Sequence, residues 1–184
     1  MSLLKKVNQL NNFEDENKFF HLICCDDKVG MVHEKIANII LKSRLPYFLK
    51  NKNLILKEKE KKLLNKTLEN TCELLYKHKI LNEVTGEMFP CSLSLGKKEY
   101  FFLDRALVEY LGIRGYGVHL IAYVKENSKI KLWIPLRAKN KRVEPNKLDN
   151  TVAGGIASGE TVRQALIRES SEEASFNRNL LKKV

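Results

Sequence analysis

Glu169, Glu172 and Glu173 stand beside Arg168 in one short segment, GGIASGETVRQALIRESSEEASF, at positions 154–176. Ser158-Gly159-Glu160 reads as the start of a helix, with Ser158 as the cap and Glu160 in the first turn, where the helix dipole favours a carboxylate. At the angular step of an α-helix, the three glutamates share an arc of roughly 100° with Val162 and Ala165. They are therefore expected at the edge of the stripe that faces the core. Without help the arrangement is costly. Glu169 and Glu173 are a like-charge pair one turn apart, in the half of the helix where the dipole opposes negative charge. Each such contact costs about 0.3–1 kcal/mol at a surface and more when desolvated. Arg168 offsets one charge. A hard divalent cation would offset the rest, because carboxylate oxygens are what Mg²⁺ prefers, with Mn²⁺ as an alternative. A merely solvated acidic face is the competing reading. Gly154, Gly155 and Gly159 lie between a strand-like segment and the helix, where they let the backbone turn and approach a ligand. No Gly-Lys-Ser/Thr follows, so a P-loop is excluded.

The elements that must position these residues follow from hydrophobic periodicity. Residues 3–13 read as a helix and FFHLICC (19–25) as a strand. After Gly30, MVHEKIANIILKS reads as a helix through Val32, Ile36, Ile39 and Ile40. NLILK (53–57) reads as a short strand. KEKKLLNKTLENTCELLYKHK (59–79) reads as a long helix with an apolar stripe of Leu63, Leu64, Leu68, Leu75 and Tyr76. EMFPCSLSL (87–95) is expected to be a strand and FFLDRALVEYLG (101–112) a helix closed by Gly112. RGYGVHLIAYVKENSKIKLWIPLRA (114–138) reads as two strands joined around Glu126-Asn127-Ser128, followed by a loop over 139–150. A composition shift places the domain boundary near residue 112. His119 reads as a structural histidine and Trp133 as a core residue. Arg137, Asp149 and Asn150 are loop-edge residues, either substrate contacts or turn formers.

Composition narrows the function classes. The 184 residues contain 43% hydrophobic and 30% charged side chains, enough for a core and a soluble surface. No apolar run suits a membrane span, and the N-terminus has no signal-peptide pattern, so a cytoplasmic protein is expected. The four cysteines form no C-x-x-C pair and read as free thiols. The net charge of +11 comes mostly from scattered lysines, and in the densest patch (50–66) glutamate interleaves with lysine, which fits a solvated helix face better than a nucleic-acid surface.

The acidic segment resembles the Nudix box, G-x5-E-x7-R-E-U-x-E-E-x-G-U, where U is aliphatic. Gly154, Glu160, Arg168, Glu169, Glu172 and Glu173 occupy six of its seven charged and glycine-bearing positions in register. Ser170 replaces the first aliphatic residue, Ser175 replaces the second glycine, and Phe176 fills the last aliphatic position. Upstream, GIRGYGVHLIAYV (112–124), LWIPLR (132–137), Pro145 and LDNTVAGG (148–155) are similar to a thiamine pyrophosphokinase-related Nudix branch. The resemblance implies an α+β N-terminal accessory domain over 1–112. It implies that 113–184 is the N-terminal portion of a Nudix α/β/α sandwich with a mixed sheet, truncated after the box.

It also implies a Mg²⁺-dependent hydrolase that splits a small diphosphate compound, in this branch thiamine diphosphate or its oxidised analogues. Glu169 and Glu173 would be metal ligands, Glu172 a ligand or the base, and Arg168 and Glu160 a pair that orients the helix. Gly154, Gly155, Arg137 and Asn150 would contact substrate. A non-catalytic remnant or interaction module is the alternative, a homodimer is open, and a basic nucleic-acid binder ranks last.

Overall fold

The computed structural model describes residues 2–10, 15–141 and 144–181. Contacts divide the chain into two compact units, one of Met1–Glu87 with Cys91–Arg114 and one of Met88–Pro90 with Gly115–Val184.

The first unit opens with α1 (Leu3–Leu10); the rest of the helix expected over 3–13 lies outside the described residues. Strands β1 (Phe19–Cys24) and β2 (Asp27–His33) form an antiparallel hairpin around Cys25 and Asp26, both at positive φ. The sequence pattern starts a helix at Met31, but α2 (Glu34–Lys42) begins only after His33, whose Nδ1 accepts from the Lys35 N–H at 3.2 Å. Met31 and Val32 remain in the strand because they pair across the hairpin with His21 and Phe20. A second hairpin, β3 (Tyr47–Lys50) and β4 (Asn53–Leu56), turns at Asn51-Lys52; only β4 was legible in the sequence. The order β2-β1-β4-β3, with β1 and β4 parallel and the outer pairs antiparallel, makes a mixed sheet. The unit is mixed α/β, in keeping with the expected α+β class.

Helix α3 (Lys61–Lys77) matches its expected span, but its stripe is rotated: Leu64, Leu68, Cys72 and Leu75 are buried, while Leu63 and Tyr76 are exposed. Strand β5 (Met88–Ser92) is shared, its Met88–Pro90 end belonging to the second unit. Phe101–Asp104, expected as helix, belongs to strand β6 (Glu99–Asp104). Phe101 and Leu103 are buried on it, and Asp104 caps the short α4 (Arg105–Val108) through the Ala106 N–H at 2.8 Å. Gly112 has φ +58, and a Cβ there would overlap the Met31 carbonyl, so the close that the sequence assigned to glycine also requires its missing side chain.

Over 114–138 the second unit contains three strands in place of the expected two: β7 (Gly117–Leu120), β8 (Tyr123–Glu126) and β9 (Lys129–Leu132). Asn127 and Ser128, both at positive φ, join β8 to β9. β7 instead pairs antiparallel with β10 (Val152–Gly155), Val118 opposite Gly154. Helix α5 (Val162–Ala174) packs on β7 and β10 over Val118, Ile156 and Ala165, and α6 (Arg178–Leu181) follows. Trp133 is 63% exposed, not core, because the β8–β9 ribbon has no apolar layer over it among the described residues. Part of the expected loop over 139–150, residues 142–143, lies outside the described residues. No helix among the described residues is long and apolar enough to cross a membrane.

Candidate functional site

The helix that carries the glutamates starts later than its sequence suggests. Thr161, not Ser158, is the N-cap, and it forms a capping box with Gln164: its hydroxyl accepts from the Gln164 N–H, and the Gln164 side chain accepts from the Thr161 N–H. Glu160 therefore stands just before the helix, where Arg168 can reach it. Its Oε2 also accepts from the Ala157 N–H at 3.1 Å. The C-terminal end closes on Ser175 in the left-handed region, at φ 53, with its N–H on the Ser170 carbonyl. The second-glycine position of the box thus keeps a glycine-like conformation with a serine in it.

Residues Ala165 and Glu169 turn toward the strands and are buried, while Val162, expected on the same stripe, is half exposed. Gly154 and Gly155 lie within β10 itself, so they shape the strand face and not a turn before the helix. A Cβ at Gly154 would overlap the Glu169 carboxyl, and a Cβ at Gly155 would overlap the Phe89 ring. The first glycine makes room for a carboxylate that is only 8% exposed. One turn further on, Glu173 accepts the Ala153 N–H at 3.1 Å. Glu169 and Glu173 are thus brought to the same strand.

Arg168 holds the acidic set together. Its Nε and Nη2 donate to Glu160 at 2.7 and 2.8 Å, and Nη2 donates also to the Gly155 carbonyl at 3.0 Å. Nη1 donates to Glu169 at 2.7 Å and to Glu172 at 3.3 Å. The Arg168 guanidinium holds the Glu160 carboxyl below the usual carboxylate range, and the Glu160 hydrogen bonds push the arginine further up. Glu172 is the most open of the three partners. On the face of α5 turned away from the strands, an open cavity of about 470 Å³ is lined by Gln164, Ile167, Arg168, Ser171, Glu172 and Arg178.

Arg137, Asp149, Asn150 and His119 form a second cluster. Arg137 pairs with Asp149 and donates through Nε to the Glu144 carbonyl at 3.1 Å. The arginine's hydrogen bond holds the Asp149 carboxyl below its ordinary range. Asn150 and His119 are joined through Nδ2 and Nδ1 at 2.7 Å, at an exposed position. His119 is therefore a tethered surface histidine, not a residue enclosed among apolar neighbours.

Sequence reasoning missed Phe89, the Ala153 N–H and Thr161. The first two are non-local and carry no sequence signal. Thr161-x-x-Gln164 is a capping pair legible in the sequence, three residues beyond the Ser158 expected as the cap. Ser170, a departure from the box, is fully buried, and its hydroxyl has no hydrogen-bond partner among the described residues.

Residues 2–115 match the family described as Domain of unknown function (DUF4743), and the chain belongs to that family. The chain is also similar to Nudix hydrolases over most of its length. It is 27% identical over 188 residues to Nudix hydrolase 20, chloroplastic, of Arabidopsis thaliana, covering 95% of this chain and 50% of that protein. It is 26% identical over 184 residues to Nudix hydrolase 24, chloroplastic, of the same plant, covering 96% of this chain and 50% of that protein. A Nudix hydrolase of Deinococcus radiodurans is 41% identical over 61 residues, which is 33% of this chain and 36% of that protein. The chain spans about half the length of the two plant relatives it matches.

Proposed function

We propose that the chain carries the acidic helix of a Nudix-type hydrolase that cleaves a small diphosphate compound with a divalent cation, Mg²⁺ or Mn²⁺. The observation that carries this reading is the placement of Glu169 and Glu173, one helical turn apart, against Gly154 and Ala153 of β10. Residues 113–184 would then be part of a Nudix sandwich and 1–112 its accessory domain. Among the described residues, no three His, Cys, Asp or Glu side chains converge tightly enough to chelate a metal as they stand. The donor chemistry nonetheless fits. Glu169, Glu172 and Glu173 offer hard carboxylate oxygens on adjoining faces of one helix, and the cradle at Gly154 admits the Glu169 carboxyl beside the strand. These three would hold the cation, which supplies charge neutralisation at the diphosphate and a bound water of lowered pKa.

The protein's own groups have separate tasks in this reading. Glu160 and Arg168 fix the loop before α5 to its middle turn. The Ala153 N–H orients the Glu173 carboxylate. Glu172, more open than Glu160 and Glu169, is proposed either as a cation ligand or as the base that takes a proton from an attacking water. Gly154, Gly155, Arg137 and Asn150 are the proposed substrate contacts, and thiamine diphosphate and its oxidised analogues the proposed substrates. The test is phosphate release from thiamine diphosphate, its oxo-analogue and ADP-ribose, with and without Mg²⁺. Metal-dependent turnover of any of them is expected; none with all three would sink the reading.

One observation favours a second reading, a non-catalytic interaction module. Tyr123, Ile130, Leu132, Trp133 and Ile134 are all more than half exposed on and beside the β8–β9 ribbon. A folded chain inert in the same assays would favour it.

A further inference from the structure

Arg168 grips its carboxylates with two different edges of one guanidinium. Nε and Nη2 make a bidentate pair with Glu160, reinforced by the Gly155 carbonyl at 3.0 Å. Nη1 by contrast is a single nitrogen divided between Glu169 at 2.7 Å and Glu172 at 3.3 Å. One positive charge therefore serves three carboxylates, and its weaker edge faces the two that lie on α5. Arg168 and Glu172 both line the open cavity, which gives solvent access to this pair.

We propose that Nη1 of Arg168 is an exchangeable counter-ion: it yields Glu169 and Glu172 to a divalent cation, while Nε and Nη2 stay on Glu160 and Gly155. The inference rests on the hydrolase reading only for the choice of cation. Arg168 then supports the fold of the second unit while opposing metal binding, since its charge competes for the same oxygens. A purely structural role gives the opposite expectation, because loss of the support would loosen the ligands and weaken binding.

The test measures Mn²⁺ binding to the full chain by electron paramagnetic resonance of the free ion, in wild type and Arg168→Gln. The variant is expected to bind Mn²⁺ on the order of tenfold more tightly, as removal of a cation a few ångströms away requires. It should also have a lower urea midpoint without metal that Mn²⁺ restores. Equal or weaker binding by the variant, or no Mn²⁺ binding by wild type, overturns the proposal. Should the variant not fold, arginine side-chain NMR of wild type decides. Added Mg²⁺ should speed hydrogen exchange at Nη1 of Arg168 and leave the Nε proton protected. Persistence of both, or loss of both, overturns it. Active wild type with weaker binding by Arg168→Gln sinks this inference alone. Expected Mn²⁺ binding without turnover sinks the hydrolase reading alone.

Discussion

One exposed and one buried residue of α5 separate chemistry from stability at the scale of single side chains. Glu173 takes one strand N–H and lies toward solvent, so its neutral isostere keeps an oxygen for the Ala153 N–H and loses only the charge. Glu173→Gln should leave the urea midpoint nearly unchanged and lower turnover by a factor of about 10² or more, as loss of a metal-binding carboxylate implies. Wild-type turnover in the variant would remove Glu173 from the ligand set. Ser170 presents the reverse case. A buried hydroxyl without a partner costs about 1–3 kcal/mol, and the box pattern itself places an aliphatic side chain there. Ser170→Ala should therefore raise stability by about 1 kcal/mol without altering activity, read as a higher denaturant midpoint at constant slope. A lower midpoint would mean that the hydroxyl is satisfied in solution.

Whole elements were legible where their periodicity was local and their ends were marked by side chains. The long run of α3 and the strand β1 could be read directly, because leucines at helical spacing and an unbroken apolar run have few alternatives. The register of α3 on its neighbours could not: Leu64 and Leu68 are buried and Leu63 is not, a rotation set by contact with β6. Val32 and Phe101 were misassigned because short apolar runs satisfy both periods, and pairing partners far along the chain decided between them. The site divides in the same way. Its carboxylates and arginine are local in sequence and could be named. The strand N–H and carbonyl that orient them are backbone groups with no sequence signature.

Asp104 illustrates how a boundary residue holds an element end. Burial would raise its pKa, but hydrogen bonds from the Ala106 N–H, the Thr85 hydroxyl and the Gly86 N–H outweigh burial and hold it below the usual range. Because the folded pKa lies below the unfolded one, its contribution is complete above the unfolded carboxylate pKa of about 4. It is lost as pH falls through the folded value. Asp104→Asn sets an amide against the Gly86 N–H and should cost about 2 kcal/mol at neutral pH. The difference from wild type, followed by urea unfolding, should shrink below about pH 4. A difference independent of pH would remove the ionised carboxylate from the explanation.

At the scale of the whole molecule, the two units have unequal cores. Among the described residues, the buried apolar side chains of the second are Phe89, Val118, Val152, Ile156, Ala165 and Leu181, with several times as many in the first. Burial contributes about 25 cal/mol per Å² of apolar area, so the first unit has much the larger share. The second also leaves Trp133, Ile134 and Leu136 more than half exposed. Hydrogen exchange should therefore occur at two levels, with the amides of β1, β4 and α3 slowest and those of β7, β10 and α5 opening at lower free energy. Thermal unfolding should depart from a single transition. Added Mg²⁺ gives the decisive comparison. If Glu169 and Glu173 bind the cation, protection should rise in α5 and β10 and stay constant in the first unit, because a ligand stabilises only the unit that holds it. A uniform rise across both units would mean that they open together and that the unequal cores do not govern stability.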